Sequence, residues 1–375
     1  MRACKRVVTA AGGPAARPKR TPTVRRLKPA IVPVDRSRPQ AIAARPTPTS
    51  ARASVGDVDL EVDLGRGLVL RNPLIGGSGA FGYGVEVADL IDLDGIGAIV
   101  TRSTTLRART GNSGPRMIEV AGGILTGVGL QNPGIDAVLE KYAPTWAGWR
   151  TPVVVSLAGE SVADLVALVG RLDGDPGVAG LELNLSCANA SRAGLLFGLD
   201  ADATAGLTSA VRRATDLPII AKLSPGATDV RAVARAAADA GADAISAINT
   251  LAGLAVRPDR TGPALGSAYG GLSGPAVRPV ALRIVFEVAQ AVDIPVIGLG
   301  GIATLDDVLD FLAAGASAVG VASAALAEPG LPGRLASALG ARCRELGLTR
   351  YGSLVRGAVP RRPIPESTKG AEYRP

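Results

Sequence analysis

The chain has 375 residues, 47% hydrophobic but only 3% aromatic, so a sizeable core must be built from Ala, Val, Leu and Ile in close contact. Histidine is absent, which removes imidazole metal sites and every histidine-based general base or triad, and three scattered cysteines, Cys4, Cys187 and Cys343, argue against a disulfide framework or a cysteine zinc site and fit a reducing cytoplasm. The formal charge of +8 comes from residues 1–54, which hold thirteen Lys or Arg against the single acid Asp35, so it gives no reason to expect nucleic-acid binding.

Residues 1–54 are rich in Pro, Arg, Ala and Thr and lack periodicity, which predicts a disordered, solvated arm without function. The arm has no apolar signal core, and its eight prolines spoil the amphipathic helix of a transit peptide. No run of about eighteen apolar residues occurs, so no membrane span is expected.

Regular patterning begins at residue 55. Segments 58–64 and 68–70, around Gly65 and Gly67, read as a hairpin plugging a barrel floor. Eight strand candidates follow, at 74–77, 98–101, 153–157, 180–185, 219–223, 244–248, 296–299 and 318–322, interleaved with 3.6-residue apolar periodicity at 162–172, 229–240, 276–292 and 305–314. Such alternation implies a parallel sheet with right-handed crossovers, and eight units favour a closed α/β barrel, a (β/α)8 TIM barrel over 55–350, above an open doubly wound sheet. Residues 351–375 read as a flexible C-terminal extension. The connections 102–134 and 251–274 are longer than a barrel needs and lie at its functional rim, where long loops form lids or binding walls.

Chemistry-bearing residues collect at the strand ends. Gly300-Gly301 after the seventh strand and Ala322-Ser323 after the eighth sit where barrels bind phosphate, with glycine backbone and helix N-termini as anion donors. Lys222 ends the fifth strand, where burial without an anionic partner is costly; it reads as a Schiff-base lysine, a phosphate ligand, a cation beside an electron-accepting ring, or a side chain snorkelling to solvent. Ser78, Thr126, Gln131, Asn132, Asn184, Asn189, Asn249 and Thr250 make the rim rich in amides and hydroxyls and poor in carboxylates, suited to reading ring N–H and C=O groups. Cys187 follows the fourth strand between two amides; taken alone it reads better as a small buried hydrophobe, a reading that yields only to the rest of the chain.

Several ordered motifs carry a resemblance. Ser78-Gly79-Ala80-Phe81-Gly82, Gly129-Leu130-Gln131-Asn132-Pro133-Gly134, Asn184-Leu185-Ser186-Cys187, Lys222-Leu223-Ser224-Pro225, Ile248-Asn249-Thr250, Gly270-Gly271-Leu272-Ser273-Gly274-Pro275 and Gly298-Leu299-Gly300-Gly301-Ile302 resemble the class 1 dihydroorotate dehydrogenases, closest to the NAD-linked class 1B branch, over about residues 55–346. The resemblance implies an FMN-dependent barrel oxidising dihydroorotate in pyrimidine biosynthesis. It makes Cys187 the base that takes the C5 proton, and sets Lys222 near flavin N1 and the C2 carbonyl. Gly300, Gly301, Ala322 and Ser323 would hold the FMN phosphate, with Ser78, Ser103, Gly271 and Ser273 along the flavin. Asn184, Asn189, Asn249 and Thr250 would bind the pyrimidine, Asn184 also reaching the flavin. A separate FAD and iron-sulphur subunit is implied, since this chain has no cysteine cluster for such a centre, together with a homodimer inside a larger heteromer.

The sequence departs from the family pattern at four places. Arg102 stands where the family has a lysine touching flavin and substrate carboxylate, and Thr126 replaces an asparagine on the pyrimidine side. Ala188 replaces a proline, and Ala322-Ser323 replaces Gly-Thr with the hydroxyl kept. Arg102 and Thr126 together predict altered substrate preference or weaker orotate binding. The alternatives are a paralogue acting on another dihydropyrimidine or cyclic enamide, and a flavin-binding partner without dihydroorotate activity.

Overall fold

A computed structural model describes residues 58–185 and 197–355; Cys187, Asn189 and the arm 1–54 lie outside the described residues. A short antiparallel hairpin, β1 (Val62–Asp63) and β2 (Val69–Leu70), opens the fold. Eight parallel strands follow the expected positions: β3 (Leu74–Gly76), β4 (Ala98–Val100), then, after an excursion containing β5 (Met117–Val120) and β6 (Gly123–Thr126), β7 (Val153–Leu157), β8 (Gly180–Asn184), β9 (Ile219–Lys222) and β10 (Ala244–Ala247). A second excursion holds β11 (Leu251–Leu254) and β12 (Tyr269–Ser273), before β13 (Val296–Leu299) and β14 (Ala318–Val321) complete the set. The barrel closes in chain order, β3-β4-β7-β8-β9-β10-β13-β14 and back to β3.

The barrel strands are short Val, Ile, Leu and Ala runs, nearly all buried because helices cover the outside and packed side chains fill the inside. Few aromatics are available to fill space, so glycine admits those present: a Cβ on Gly298 would lie 2.4 Å from Phe311 of helix Leu305–Ala313. Helix starts are fixed by side chains that satisfy orphan N–H groups, as where Ser161 accepts from Asp164 N ahead of helix Val162–Leu172. The hairpin lies under the barrel as expected, with Gly65 against Asp243 just before β10 and Leu68 against Gly180 at the start of β8.

Three expectations change. The hairpin's first strand is shorter than 58–64; Asp59 instead bridges Arg350 in parallel, tying the start of the domain to its end. Tyr351–Leu354, assigned to a flexible extension, forms a 3-10 turn in which Tyr351 is buried and donates its hydroxyl to Ser317 O at 2.8 Å. The two long rim connections are not separate loops: they combine into one antiparallel sheet, β11-β12-β6-β5. No single segment betrays this sheet, because its central pairing, β6 with β12, joins residues more than a hundred positions apart.

Candidate active site

Neighbours in register on adjacent parallel strands point to the same side. Asn184 is paired with Lys222, Lys222 with Ser246, and Ser156 with Glu182, so these side chains converge inside the C-terminal half of the barrel. Lys222 is 5% exposed and Glu182 2%, which rules out snorkelling. The Lys222 ammonium donates to Ser78 Oγ at 2.8 Å and lies 3.5 Å from Glu182 Oε1, while Ser246 Oγ donates to Glu182 Oε2 at 3.3 Å. Glu182 is thus the anionic partner that burial of Lys222 requires, and it was missed although it is the one charged residue in its strand.

Above this floor runs a line of amides and hydroxyls. Asn249 Nδ2 donates to Asn184 Oδ1 at 3.1 Å, Asn184 Nδ2 donates to Ser103 Oγ at 3.0 Å, and Ser103 Oγ lies 3.0 Å from Ser156 Oγ. Thr250 N donates to Asn249 Oδ1 at 2.8 Å, fixing which way that amide faces. Asn132, expected at the rim, is instead buried and spent on structure: its oxygen accepts from Thr105 N and Gly134 N, and its amide donates to Thr105 Oγ1 and Leu130 O.

The four-stranded sheet supplies the opposite wall. Its register aligns Met117, Thr126, Gly271 and Ala252 in one row, and Thr126 Oγ1 donates to Gly271 O at 3.4 Å. Arg102 anchors its backbone N–H on Gly82 O and reaches Gln131 O with Nη1 at 3.4 Å, while its buried Nε has no partner among the described residues. Behind it, Tyr83 pairs with Thr104 Oγ1 at 3.1 Å; burial pushes its phenol up to about 12, against the opposing pull of that hydrogen bond and of the Arg102 charge.

These groups enclose a cleft of about 1000 Å³, mouth included, lined by Ser78, Arg102, Ser103, Thr126, Asn184, Asn249, Thr250, Ser273, Ala322 and Ser323 of the predicted set, with Gly79, Met117 and Gln131 among its other walls. A second cleft of about 720 Å³ adjoins it through Ile124 and Ser323 and includes Gly301. Lys222 lies beneath the floor, behind Ser78. Gly271 is set behind Thr250, whose Oγ1 would lie 2.1 Å from a Cβ there, and Gly300 backs onto Ala281. The helix N-terminus after β13 is already occupied, because Asp307 Oδ2 accepts from Ala303 N and Thr304 N; an anion at this edge must rely on the Gly300-Gly301 backbone and Ser323.

An eight-stranded parallel barrel with a polar cleft at the C-terminal ends of its strands defines the class: a (β/α)8-barrel enzyme. Comparison with known proteins narrows it. Residues 60–341 match the model of the dihydroorotate dehydrogenase family. The chain is 48% identical over 292 residues to the dihydroorotate dehydrogenase B (NAD(+)) catalytic subunit of Desulforudis audaxviator, covering 78% of this chain and 95% of that one. It is 47% identical over 297 residues to the protein of the same name from Pelobacter propionicus, covering 79% and 97%. A crystal structure of DHODH from Eimeria tenella in complex with ferulenol shares the fold, with a TM-score of 0.68 at 20% identity over 80% of this chain and 89% of that one. The chain belongs to the dihydroorotate dehydrogenase family and is an oxidoreductase. Among the described residues no helix is long and apolar enough to cross a membrane, and no group of His, Cys, Asp and Glu could hold a metal ion.

Proposed function

We propose that this chain uses FMN to oxidise (S)-dihydroorotate to orotate in pyrimidine biosynthesis, in the cytoplasm, as the catalytic subunit of a heteromer built on a homodimer. The observation that carries the reading is the buried Lys222 ammonium held behind Ser78 at the floor of an amide-lined cleft. A flavin fits these residues. Gly79, at φ +88, leaves open space where a side chain would stand, so bare backbone faces the cleft.

Gly300, Gly301, Ala322 and Ser323 would hold the phosphate, Ser78, Ser103, Asn184, Gly271 and Ser273 would lie along the ring system, and Lys222 would supply positive charge beneath it. When bound, FMN supplies the acceptor for the hydride leaving C6. Asn184, Asn189, Asn249 and Thr250 would orient the pyrimidine through its N–H and C=O groups, with Arg102 facing its carboxylate. Cys187 takes the C5 proton as its thiolate; an ordinary thiol, with a pKa of about 8.5, is mostly protonated at neutral pH, so the rate rises with pH until the thiolate dominates. With no cysteine cluster of its own, the chain passes electrons to a separate FAD and iron-sulphur subunit and so to NAD.

The test is anaerobic mixing of the FMN-loaded chain with dihydroorotate. The flavin absorbance is expected to bleach as orotate forms, and Cys187→Ala to slow bleaching by about 10²–10⁴-fold while retaining flavin. A second reading, oxidation of a different dihydropyrimidine, is favoured by one observation: Thr126 turns its hydroxyl to Gly271 O where the family has an amide. Bleaching by another dihydropyrimidine but not by dihydroorotate would establish it.

A further inference from the structure

We propose that Glu182 sets the reduction potential of the flavin by balancing the charge of Lys222 from below the cleft, an inference that rests on the FMN reading above. Among the described residues the buried charged side chains are Glu182, Lys222 and Asp307, and only the first two stand on barrel strands. The two are 3.5 Å apart, and the carboxylate is held on its other oxygen by Ser246. The remaining neighbours of the ammonium in register or contact, Asn184, Ser246 and Ser78, are neutral. A buried ion pair is generally no more stable than a well-packed apolar pair of the same volume, so stability does not account for two charges at the centre of this barrel. A redox role does.

In the reaction, the C6–H bond breaks and its two electrons and proton pass to the ring, while the C5 proton goes to the base and the C5–C6 double bond forms. The ring thereby gains one negative charge. An isolated ammonium beneath it would hold that charge strongly and favour the reduced flavin. The Glu182 carboxylate, a fixed negative charge in a low-dielectric interior, offsets the ammonium's field and keeps the potential low enough for electrons to leave again. Glu182 touches neither flavin nor substrate in this scheme. It is a positioning residue acting through Lys222, pinned at one end by Ser246.

The experiment is equilibrium titration of the bound flavin against redox dyes in the FMN-loaded chain and four variants. Glu182→Gln is expected to shift the two-electron equilibrium towards reduced flavin by at least tenfold, about 30 mV, whereas Glu182→Asp, which keeps the charge, stays close to the natural chain. Lys222→Met alone, leaving the carboxylate without its cation, shifts the equilibrium the other way, and adding Glu182→Gln to it recovers at least tenfold. That double variant replaces the ion pair with neutral side chains, a change barrel interiors tolerate, so the comparison stands even where Glu182→Gln alone fails to fold. Equal effects of Gln and Asp, a shift of Glu182→Gln towards oxidised flavin, or identical potentials for Lys222→Met and the double variant would each overturn the proposal. A chain that takes up no FMN refutes the functional reading and this inference with it. A chain whose flavin dihydroorotate reduces, but whose potential ignores residue 182, refutes only the inference.

Discussion

The side-chain amide of Asn249 donates to Asn184 Oδ1 at 3.1 Å, joining the ends of β10 and β8 over the intervening β9. Asn184 passes the constraint on to Ser103 at 3.0 Å, so residues from three separate strand ends are oriented as one unit. Their placement makes the cleft a pre-set array of donors and acceptors rather than a collection of loose side chains.

Asn184→Ala is expected to lose more than its own contacts. It takes from the Asn249 amide and the Ser103 hydroxyl a shared partner in a part-buried site, at a cost of about 1–3 kcal/mol, or roughly 5–150-fold in catalytic rate. Steady-state kinetics with dihydroorotate should give a fall in kcat/KM of that size, with thermal stability changed by only a few degrees.

In the proposed site Arg102 and Thr126 lie on the substrate side. The guanidinium has a buried Nε without a partner among the described residues, and the Thr126 hydroxyl is turned to Gly271 O, away from the role an asparagine amide would take. Arg102→Lys combined with Thr126→Asn is therefore expected to tighten orotate binding by about tenfold, the value of one added hydrogen bond of about 1–1.5 kcal/mol. Orotate titration followed by flavin absorbance checks it; equal affinities in the two proteins would remove these residues from the account of specificity.

Gly271→Ala tests how closely the added sheet is fitted to the barrel. The new Cβ would stand 2.1 Å from Thr250 Oγ1 and 2.6 Å from Thr250 Cβ, so Thr250 or the β12 backbone must move. Overpacking of this kind costs about 1–3 kcal/mol, and because Thr250 lines the cleft and Gly271 is proposed to lie along the flavin, KM for the pyrimidine should rise and flavin should bind more weakly. Denaturant unfolding together with kinetics separates the two effects.

Alkaline pH should destabilise the domain through Tyr83. Its phenol is raised from 10.0 to about 12 in the folded chain by burial, so between those values the folded state keeps a proton that the unfolded chain has lost. Stability contributed by the protonated phenol is complete below about pH 10 and is lost progressively towards pH 12, amounting to about 2–3 kcal/mol. Tyr351 is pushed up in the same direction by burial. Tyr83→Phe cannot ionise, so denaturant unfolding at pH 9 and pH 12 should show the natural chain losing more stability than the variant by that amount.

Much of the barrel was legible in the sequence because its strands are short apolar runs and its helices carry a 3.6-residue period, both local signals. The positions of Ser78, Lys222, Asn249 and Ala322-Ser323 at strand ends follow from the same local pattern, since the C-terminal edge of a parallel barrel is one rim whatever the strand. Cys187 and Asn189 were read from their motif, and their roles stand as proposals.

Tertiary structure alone decided three matters. Four strands drawn from two distant rim segments pair into one sheet, which sets Thr126 beside Gly271 and builds the far wall of the cleft. The partner of Lys222 is Glu182 on the neighbouring strand, two residues before Asn184, a relation fixed by barrel register. Asn132, indistinguishable in the sequence from the cleft amides, is spent on a turn. In the first two cases the deciding interaction joins residues far apart in the chain, and in the third it combines a local turn with a partner 27 residues away; neither periodicity nor propensity carries information about such pairings until folding brings the partners within reach.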